Sequence, residues 1–328
     1  MLPADRPESI RLAAEIIRSG GLVAFPTETV YGLGCDALNP DAAAKVFEAK
    51  QRPSFDPLIV HLADRSMVET VAKIIPSVAY RLMDAFWPGP LTLILPKQPA
   101  VPDLVTAGLP TVAIRMPDHP VAQALIREAR TPIAAPSANP FGYVSPTTAQ
   151  HVIDGLGDRV DLILDGGPCQ VGVESTILSL AGTKPLLLRP GSLTLEVIQP
   201  VIGPVDRPAS SDETVHVPGQ SPRHYATRTP VTILSAPGAW PILRGRERAG
   251  LLAMSEPRGL AGQFHAVEVL SPSGELREAA RHLFAALRKL DALGLDRIYA
   301  EPCEETGLGL AIMDRLRRCA TLSPSPSS

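Results

Sequence analysis

The chain has 328 residues, 45% of them hydrophobic and 20% charged, the composition of a globular protein long enough for two domains with separate cores. Its formal net charge of −3 argues against a surface built to wrap nucleic acid, which needs a clear basic excess. The N-terminus lacks a basic start followed by an apolar run, and no stretch of about 18 uncharged apolar residues occurs. Neither a signal peptide nor a membrane span is expected, and the protein is expected to be cytoplasmic.

In chain order, Glu8–Ser19 carries Ile10, Ala13, Ala14, Ile16 and Ile17 at helical spacing and stops at Gly20-Gly21. A short strand over Leu22–Phe25 follows. Asn39 reads as an N-cap and Pro40 as the first residue of a helix that runs to Lys50. Leu58–Leu62 is strand-like, and helices are expected over Ser66–Ile75 and Ser77–Phe86. Strands recur at Leu91–Leu95, Thr111–Arg115, Ile133–Ala135, Asp161–Leu164, Ser175–Leu180 and Leu186–Leu188. Several are unbroken apolar runs, as in strands buried on both faces, so residues 1–200 read as an α/β domain with a twisted mixed sheet. Residues 201–229 are rich in proline and poor in periodicity, the best linker candidate. A second pattern over 230–320 has strands at Val231–Leu234, Gly250–Ala253, Ala266–Leu270 and Arg297–Ala300. With helices at Glu275–Leu293 and Gly309–Arg318, it predicts a small Rossmann-like α/β domain. The tail 321–328 is low in complexity and is expected to be disordered.

The common phosphate signature is missing: there is no G-x-x-x-x-G-K-[ST] run. Gly32-x-Gly34-x-x-Ala37 starts well beyond its strand and reads better as a turn than as a dinucleotide fingerprint. The four cysteines have no Cys-x-x-Cys spacing, which fits reduced thiols better than a zinc site, and no dedicated protein metal site is expected. Polar residues collect instead in loops at strand ends, where α/β proteins bind ligands.

Four clusters stand out, each with a purely structural explanation beside a functional one. Pro26-Thr27-Glu28-Thr29 puts two hydroxyls and a carboxylate just after a buried strand. Lys50-Gln51-Arg52 places two cations at a helix C-terminus, where the macrodipole already favours them. Pro136-Ser137-Ala138-Asn139, continuing to Ser145, reads equally as turn and cap chemistry. Val173-Glu174-Ser175-Thr176 is followed by Leu188-Arg189-Pro190-Gly191. Within the strands, His61 fits a satisfied core histidine as well as a ligand, and Arg115 at a strand end needs an anion of either internal or external origin.

Taken together and in order, these segments resemble one family. Lys50-x-Arg52 with Ser137-x-Asn139 is the paired motif of the YrdC-type threonylcarbamoyl-AMP synthases, and FPTETVYGLG (Phe25–Gly34), PLIVHL (Pro57–Leu62), VESTI (Val173–Ile177) and LRPG (Leu188–Gly191) are similar to that family too. PGQSPRHYA (Pro218–Ala226) resembles the hinge of its longer, two-domain version, and GLGLAIMDRLRRCA (Gly307–Ala320) resembles the end of that version's second domain. Phe141 and Thr227 depart from the pattern, where a small polar residue and a proline are common.

The resemblance implies a YrdC-like catalytic domain and a nucleotidyltransferase reaction. L-threonine's amine captures bicarbonate or carbon dioxide as a carbamate, which attacks the α-phosphorus of ATP and expels pyrophosphate. The threonylcarbamoyl-AMP product then passes to machinery that modifies an adenosine beside the tRNA anticodon. By the same resemblance, Lys50, Arg52, Ser137 and Asn139 hold the triphosphate and the reacting phosphorus, while Asp56, Ser145, Arg189 and Tyr225 also meet the nucleotide. Thr29, His61, Thr111, Arg115, Ala135 and Ser175 line the threonine pocket, with Arg115 facing the substrate carboxylate. Magnesium accompanies ATP rather than a protein cage. Two readings compete. Related YrdC-like domains in carbamoyltransferases use carbamoyl phosphate, but carry acylphosphatase and zinc-finger modules that this sequence lacks. A basic cleft of this kind also suits RNA, against which the near-neutral charge weighs.

Overall fold

A computed structural model describes residues 1–208, 225–243, 247–257 and 259–320. The chain divides into two compact units. The first comprises Met1–Phe141, Ser145–Gln170 and Glu174–Ser221, and the second Gly142–Val144, Val171–Val173 and Pro222–Ser328.

The first unit holds a ten-stranded mixed sheet. Its strands are β1 (Leu2–Pro3), β2 (Val23–Phe25), β3 (Gly32–Asp36), β4 (Ile59–His61), β5 (Leu91–Pro96), β6 (Thr111–Arg115), β7 (Ile133–Ala134), β8 (Leu162–Asp165), β9 (Thr176–Ser179) and β10 (Leu186–Arg189). Their spatial order is β1-β8-β2-β3-β7-β4-β6-β5-β9-β10. The helices are α1 (Pro7–Arg18), α2 (Pro40–Lys50), α3 (Val68–Val71), α4 (Ser77–Phe86), α5 (Asp103–Thr106), α6 (Pro120–Ala129), α7 (Ala149–Leu156) and α8 (Leu195–Ile202).

Local chemistry explains where these elements start and stop. Asn39 caps α2 by accepting the N–H groups of Asp41 and Ala42, with Pro40 next in line. The helix ends where Gln51 turns left-handed at φ 53°, so Lys50 and Arg52 leave it in different directions. The stretch Gly32–Gly34, expected to be a turn, is strand β3, paired antiparallel with β2. Its glycines make that possible: a Cβ on Gly34 would stand 2.7 Å from the Phe25 ring and 2.8 Å from Ile133. The expected helix over residues 66–75 shrinks to a 3-10 turn and the short α3, because Ala72 goes extended to bridge Lys97. Helices α6, α7 and α8 add to the sequence reading. His119 Nδ1 caps α6 at 3.3 Å from the Val121 N–H, and Thr148 caps α7.

Strand alternation divides the side chains between two faces. Val60, Leu62, Leu93, Leu95, Val112, Ile114 and Leu178 enter the main core with α2 and α4. Ile59, Ile94, Ala113, Ile177 and Leu188 form a small separate apolar floor. His61, Thr92, Thr111, Arg115 and Ser175 have the same parity as that floor, so the sheet presents a polar rim around an apolar patch.

The second unit is a four-stranded parallel sheet of β11 (Val231–Ile233), β12 (Ala249–Ala253), β13 (Ala266–Val269) and β14 (Arg297–Ala300), in the order β11-β14-β12-β13. It is accompanied by α9 (Leu276–Asp291) and α10 (Leu308–Ala320). α9 buries Ala279, Ala280, Leu283, Phe284, Leu287 and Leu290 along one stripe. The 142–144 and 171–173 segments pack onto this helix. The Tyr143 hydroxyl donates to Asp291 at 2.7 Å, and a Cβ on Gly172 (φ +81°) would stand 2.4 Å from Arg281 Cα. The Tyr225 ring is wholly buried, stacked on Phe284 at 5.3 Å with the Arg315 guanidinium 5.4 Å from its centre. Among the described residues no helix is long and apolar enough to cross a membrane. Residues 209–224, which include His224 and most of the expected linker, and the 321–328 tail lie outside the described residues.

Candidate active site

Lys50 and the 136–139 turn come together. The Leu33 N–H donates to the Pro136 carbonyl and the Ala138 N–H to the Tyr31 carbonyl, both at 2.8 Å, so the turn is laced to the start of β3. The Lys50 ammonium donates to the Ser137 carbonyl at 2.5 Å and also to the Asn139 carbonyl. Burial pushes this ammonium well below the ordinary lysine value, the Arg52 charge adding to the effect and Asp56 opposing it. Arg52 donates to the Asp56 and Pro57 carbonyls and pairs with the Asp56 carboxylate at 2.8 Å. Phe141, one of the departures from the family pattern, lies with its ring 5.9 Å from the Arg52 guanidinium, and its N–H donates to the Lys50 carbonyl at 2.9 Å. The other departure, Thr227, donates to the Thr229 carbonyl within the second unit.

A second group forms on the polar rim. His61 and Arg115 are register neighbours across β4 and β6, and Thr92 is Arg115's partner across β5 and β6. The Arg115 guanidinium donates to Thr29 Oγ1 at 2.9 Å and to the Gly89 carbonyl at 3.4 Å. Thr27 donates its own proton to the Val30 carbonyl at 2.7 Å. In the 2.9 Å contact between the two hydroxyls, Thr29 is therefore the donor, and its lone pairs face Arg115. Burial first, and the Arg115 charge second, lower His61 to about 3, so the ring is neutral at physiological pH.

Ser175 ties this group to β10. Its hydroxyl meets Thr92 at 2.8 Å and accepts from Arg189 at 3.1 Å, while Arg189 also donates to the Ser175 carbonyl. Ser145 donates to the Glu174 carboxylate at 2.6 Å. Ala135 is buried beside β4, its N–H donating to the Ile59 carbonyl. Thr111 lies on Arg115's face of β6 but four residues away, about 13 Å at strand rise, and so bounds the far end of the floor. Tyr225 is placed in the interior of the second unit.

The sequence reading gave no site role to three members of these networks: Glu28 and Glu174, which it noted only within clusters, and Thr92. Thr92 carried a signal, as the sole polar residue inside the apolar strand Leu91–Leu95. Glu174 carried none apart from sitting in the VEST turn. The cations here are buried and held by carbonyls or carboxylates, the hydroxyls are oriented, and an apolar floor lies between. Such an arrangement suits binding an anionic group beside a small amphiphile and neutralising charge during transfer.

Two family models match the chain: one described as Telomere recombination, for Sua5, YciO and YrdC proteins, over residues 15–191, and one described as Threonylcarbamoyl-AMP synthase, C-terminal domain, over residues 193–321. Threonylcarbamoyl-AMP synthase of Pyrococcus abyssi is 47% identical over 95% of this chain and 94% of its own length. The Bacillus subtilis enzyme of the same name is 49% identical over 95% and 92%. The crystal structure of P. abyssi Sua5 complexed with L-threonine superposes with a TM-score of 0.87 at 44% identity, covering 95% of this chain and 94% of that one.

Proposed function

The chain belongs to the two-domain Sua5 form of the threonylcarbamoyl-AMP synthase family, and from that premise we propose what it makes and how its residues make it. It is a nucleotidyltransferase that forms L-threonylcarbamoyl-AMP and pyrophosphate from L-threonine, bicarbonate and ATP, for threonylcarbamoyl modification of the adenosine next to the tRNA anticodon.

The observation that carries the residue-level reading is the 2.5 Å contact between the Lys50 ammonium and the Ser137 carbonyl. Two motifs distant in sequence meet there around a buried positive charge. In this reading Lys50, Arg52, Ser137 and Asn139 receive the triphosphate, with Asp56, Ser145 and Arg189 framing the nucleotide. Thr29, His61, Arg115, Ala135 and Ser175 hold threonine, with Thr111 at the pocket's far end. Threonine's nitrogen bonds to the carbon of bicarbonate with loss of water, an oxygen of the resulting carbamate attacks the α-phosphorus, the bond from that phosphorus to the bridging oxygen breaks, and pyrophosphate leaves with the electron pair. The protein positions and neutralises; no covalent enzyme intermediate is needed. Neutral His61 neither adds a charge nor competes with Arg115 for the substrate carboxylate. In this reading a magnesium ion would be carried by the triphosphate beside Lys50 and Arg52, where it would offset phosphate charge.

Tyr225 is assigned to a lid that closes over the nucleotide. Because its ring is stacked on Phe284, that role requires the ring to leave the stack, and Tyr225→Ala should raise ATP hydrolysis relative to captured product. Equal ratios in variant and wild type reject the lid. The main test incubates the protein with ATP, magnesium, bicarbonate and single amino acids and identifies adenylates by mass. A threonine-dependent carbamoyl-AMP adduct with matching pyrophosphate is expected; release dependent on carbamoyl phosphate instead overturns the reading. In the same reading the product is consumed by downstream machinery that transfers the threonylcarbamoyl group to tRNA.

A further inference from the structure

Glu28 pairs with Arg115 of the rim yet has no part in the reading above. Its side chain is 6% exposed and that of Arg115 is 4% exposed, with Glu28 Oε1 2.6 Å from an Arg115 terminal nitrogen. That contact joins the charges without the alignment of a hydrogen bond, and neither Glu28 oxygen has a hydrogen-bond partner. A buried carboxylate in that condition is costly unless an opposite charge holds it, so the pair persists on Arg115's charge. Its other charged or titratable neighbours are His119 and Cys169. Glu28 is thus committed to one cation, and that cation is committed in turn to Glu28, Thr29 and Gly89.

Two consequences follow from the geometry. The guanidinium is fixed on three sides, by a carboxylate, a hydroxyl and a main-chain carbonyl, so its remaining N–H groups point in one set direction. With neutral His61 alongside, the Arg115–Glu28 pair also sums to zero charge. A pocket of zero net charge, with a cation and an anion side by side, complements a ligand that carries both signs. It favours a zwitterion over a bare carboxylate of the same shape.

We propose that Glu28 is a positioning and specificity residue of the amino-acid pocket, orienting Arg115 and cancelling its charge so that the pocket selects a zwitterionic amino acid over the corresponding hydroxy acid. The proposal rests on Arg115 holding the substrate carboxylate. The test compares L-threonine with 3-hydroxybutyrate, which keeps the carboxylate and the hydroxyl but lacks the amine. In wild type the hydroxy acid should inhibit only weakly, as a competitor of threonine. In Glu28→Gln, of nearly equal shape, the ratio of the threonine KM to the hydroxybutyrate inhibition constant should rise about tenfold or more, while the KM for ATP stays within about twofold. A role in packing alone weakens both ligands equally and leaves the ratio unchanged, which would overturn the proposal.

Glu28→Asp keeps the charge but shortens its reach. It should raise the threonine KM and the inhibition constant together and hold their ratio. Should Glu28→Gln not fold, wild-type protein decides the matter: a hydroxybutyrate inhibition constant equal to or below the threonine KM, or a Glu28→Asp threonine KM that does not move, ends the proposal. Wild-type protein that forms no threonine-dependent adduct would instead defeat the underlying assignment of the site, a separate outcome read in the same assay.

Discussion

Lys50 and Arg115 are both buried cations of the first unit, but they are kept buried by opposite means. Lys50 is surrounded by neutral dipoles, the carbonyls of Ser137 and Asn139, and among the described residues no carboxylate pairs with it. Arg115 has a carboxylate against it, a hydroxyl beside it and a neutral imidazole next in register. One end of the site therefore holds a charge that its surroundings leave uncompensated, as an incoming polyanion requires. The other end holds a charge already cancelled, as a ligand of zero net charge requires. In the proposed reading, the same residue class would serve two ligands because its partners differ.

The comparison breaks most visibly when each cation is replaced by methionine. Arg115→Met strands the Glu28 carboxylate in the interior without a counter-ion, which should cost about 3–5 kcal/mol of stability as well as threonine-dependent turnover. Denaturant unfolding measures the loss, and Arg115→Met/Glu28→Leu should recover most of it without recovering activity. Lys50→Met removes a charge that burial already disfavours and leaves two carbonyls short of one donor each. Its stability should stay within about 1 kcal/mol of wild type, because the relief of desolvation offsets the lost hydrogen bonds. Adenylate formation should nonetheless fall by about 100-fold or more, as when a preorganised donor to developing charge is deleted. A Lys50→Met protein that unfolds as easily as Arg115→Met would show that the two ends are not held differently.

How much of this was legible in the sequence depends on whether the deciding contact is local. Asn39-Pro40 announces α2, and the apolar runs announce β5 and β6, since caps and periodicity are read within a few residues. The motif residues of the site were legible through the family they resemble. Strand β3 was not, because what makes Gly32–Gly34 a strand is the Phe25 ring and Ile133 filling the space a Cβ would take, and Ile133 lies about a hundred positions away. Glu28 was visible as a carboxylate after a strand, but its meaning depends on Arg115, which only the sheet brings within 2.6 Å. Tyr225 sits in a segment that reads as linker, yet its ring is core, because its partners Phe284 and Arg315 come from α9 and α10.

The amino-acid end can be sharpened at Gly34. Adding a methyl group there drives the Cβ to 2.7 Å from the Phe25 ring, which also stands perpendicular to the His61 ring at 6.2 Å between centroids. Gly34→Ala should cost about 1–3 kcal/mol by overpacking. Because Phe25 adjoins His61, the KM for threonine should rise more than the KM for ATP. Equal changes in both would mean that Phe25 supports the whole site rather than the amino-acid end.

The smallest expected effect is a pH dependence at the amino-acid end. His61 titrates near 6.5 in the unfolded chain and at about 3 in the folded protein, because burial and the Arg115 charge oppose its protonation. The folded value lies below the unfolded one, so the unfolded chain binds the extra proton as pH falls, and stability declines below pH 6.5 until the folded ring protonates near 3. Between pH 6.5 and 5.5 this group alone should remove about 1 kcal/mol, read as a lower denaturant midpoint. His61→Asn, which keeps a polar side chain but cannot titrate, should flatten that part of the profile. A midpoint that falls equally in wild type and His61→Asn would mean that the imidazole is not held neutral, and the zero-charge account of the Arg115 pocket would fail with it.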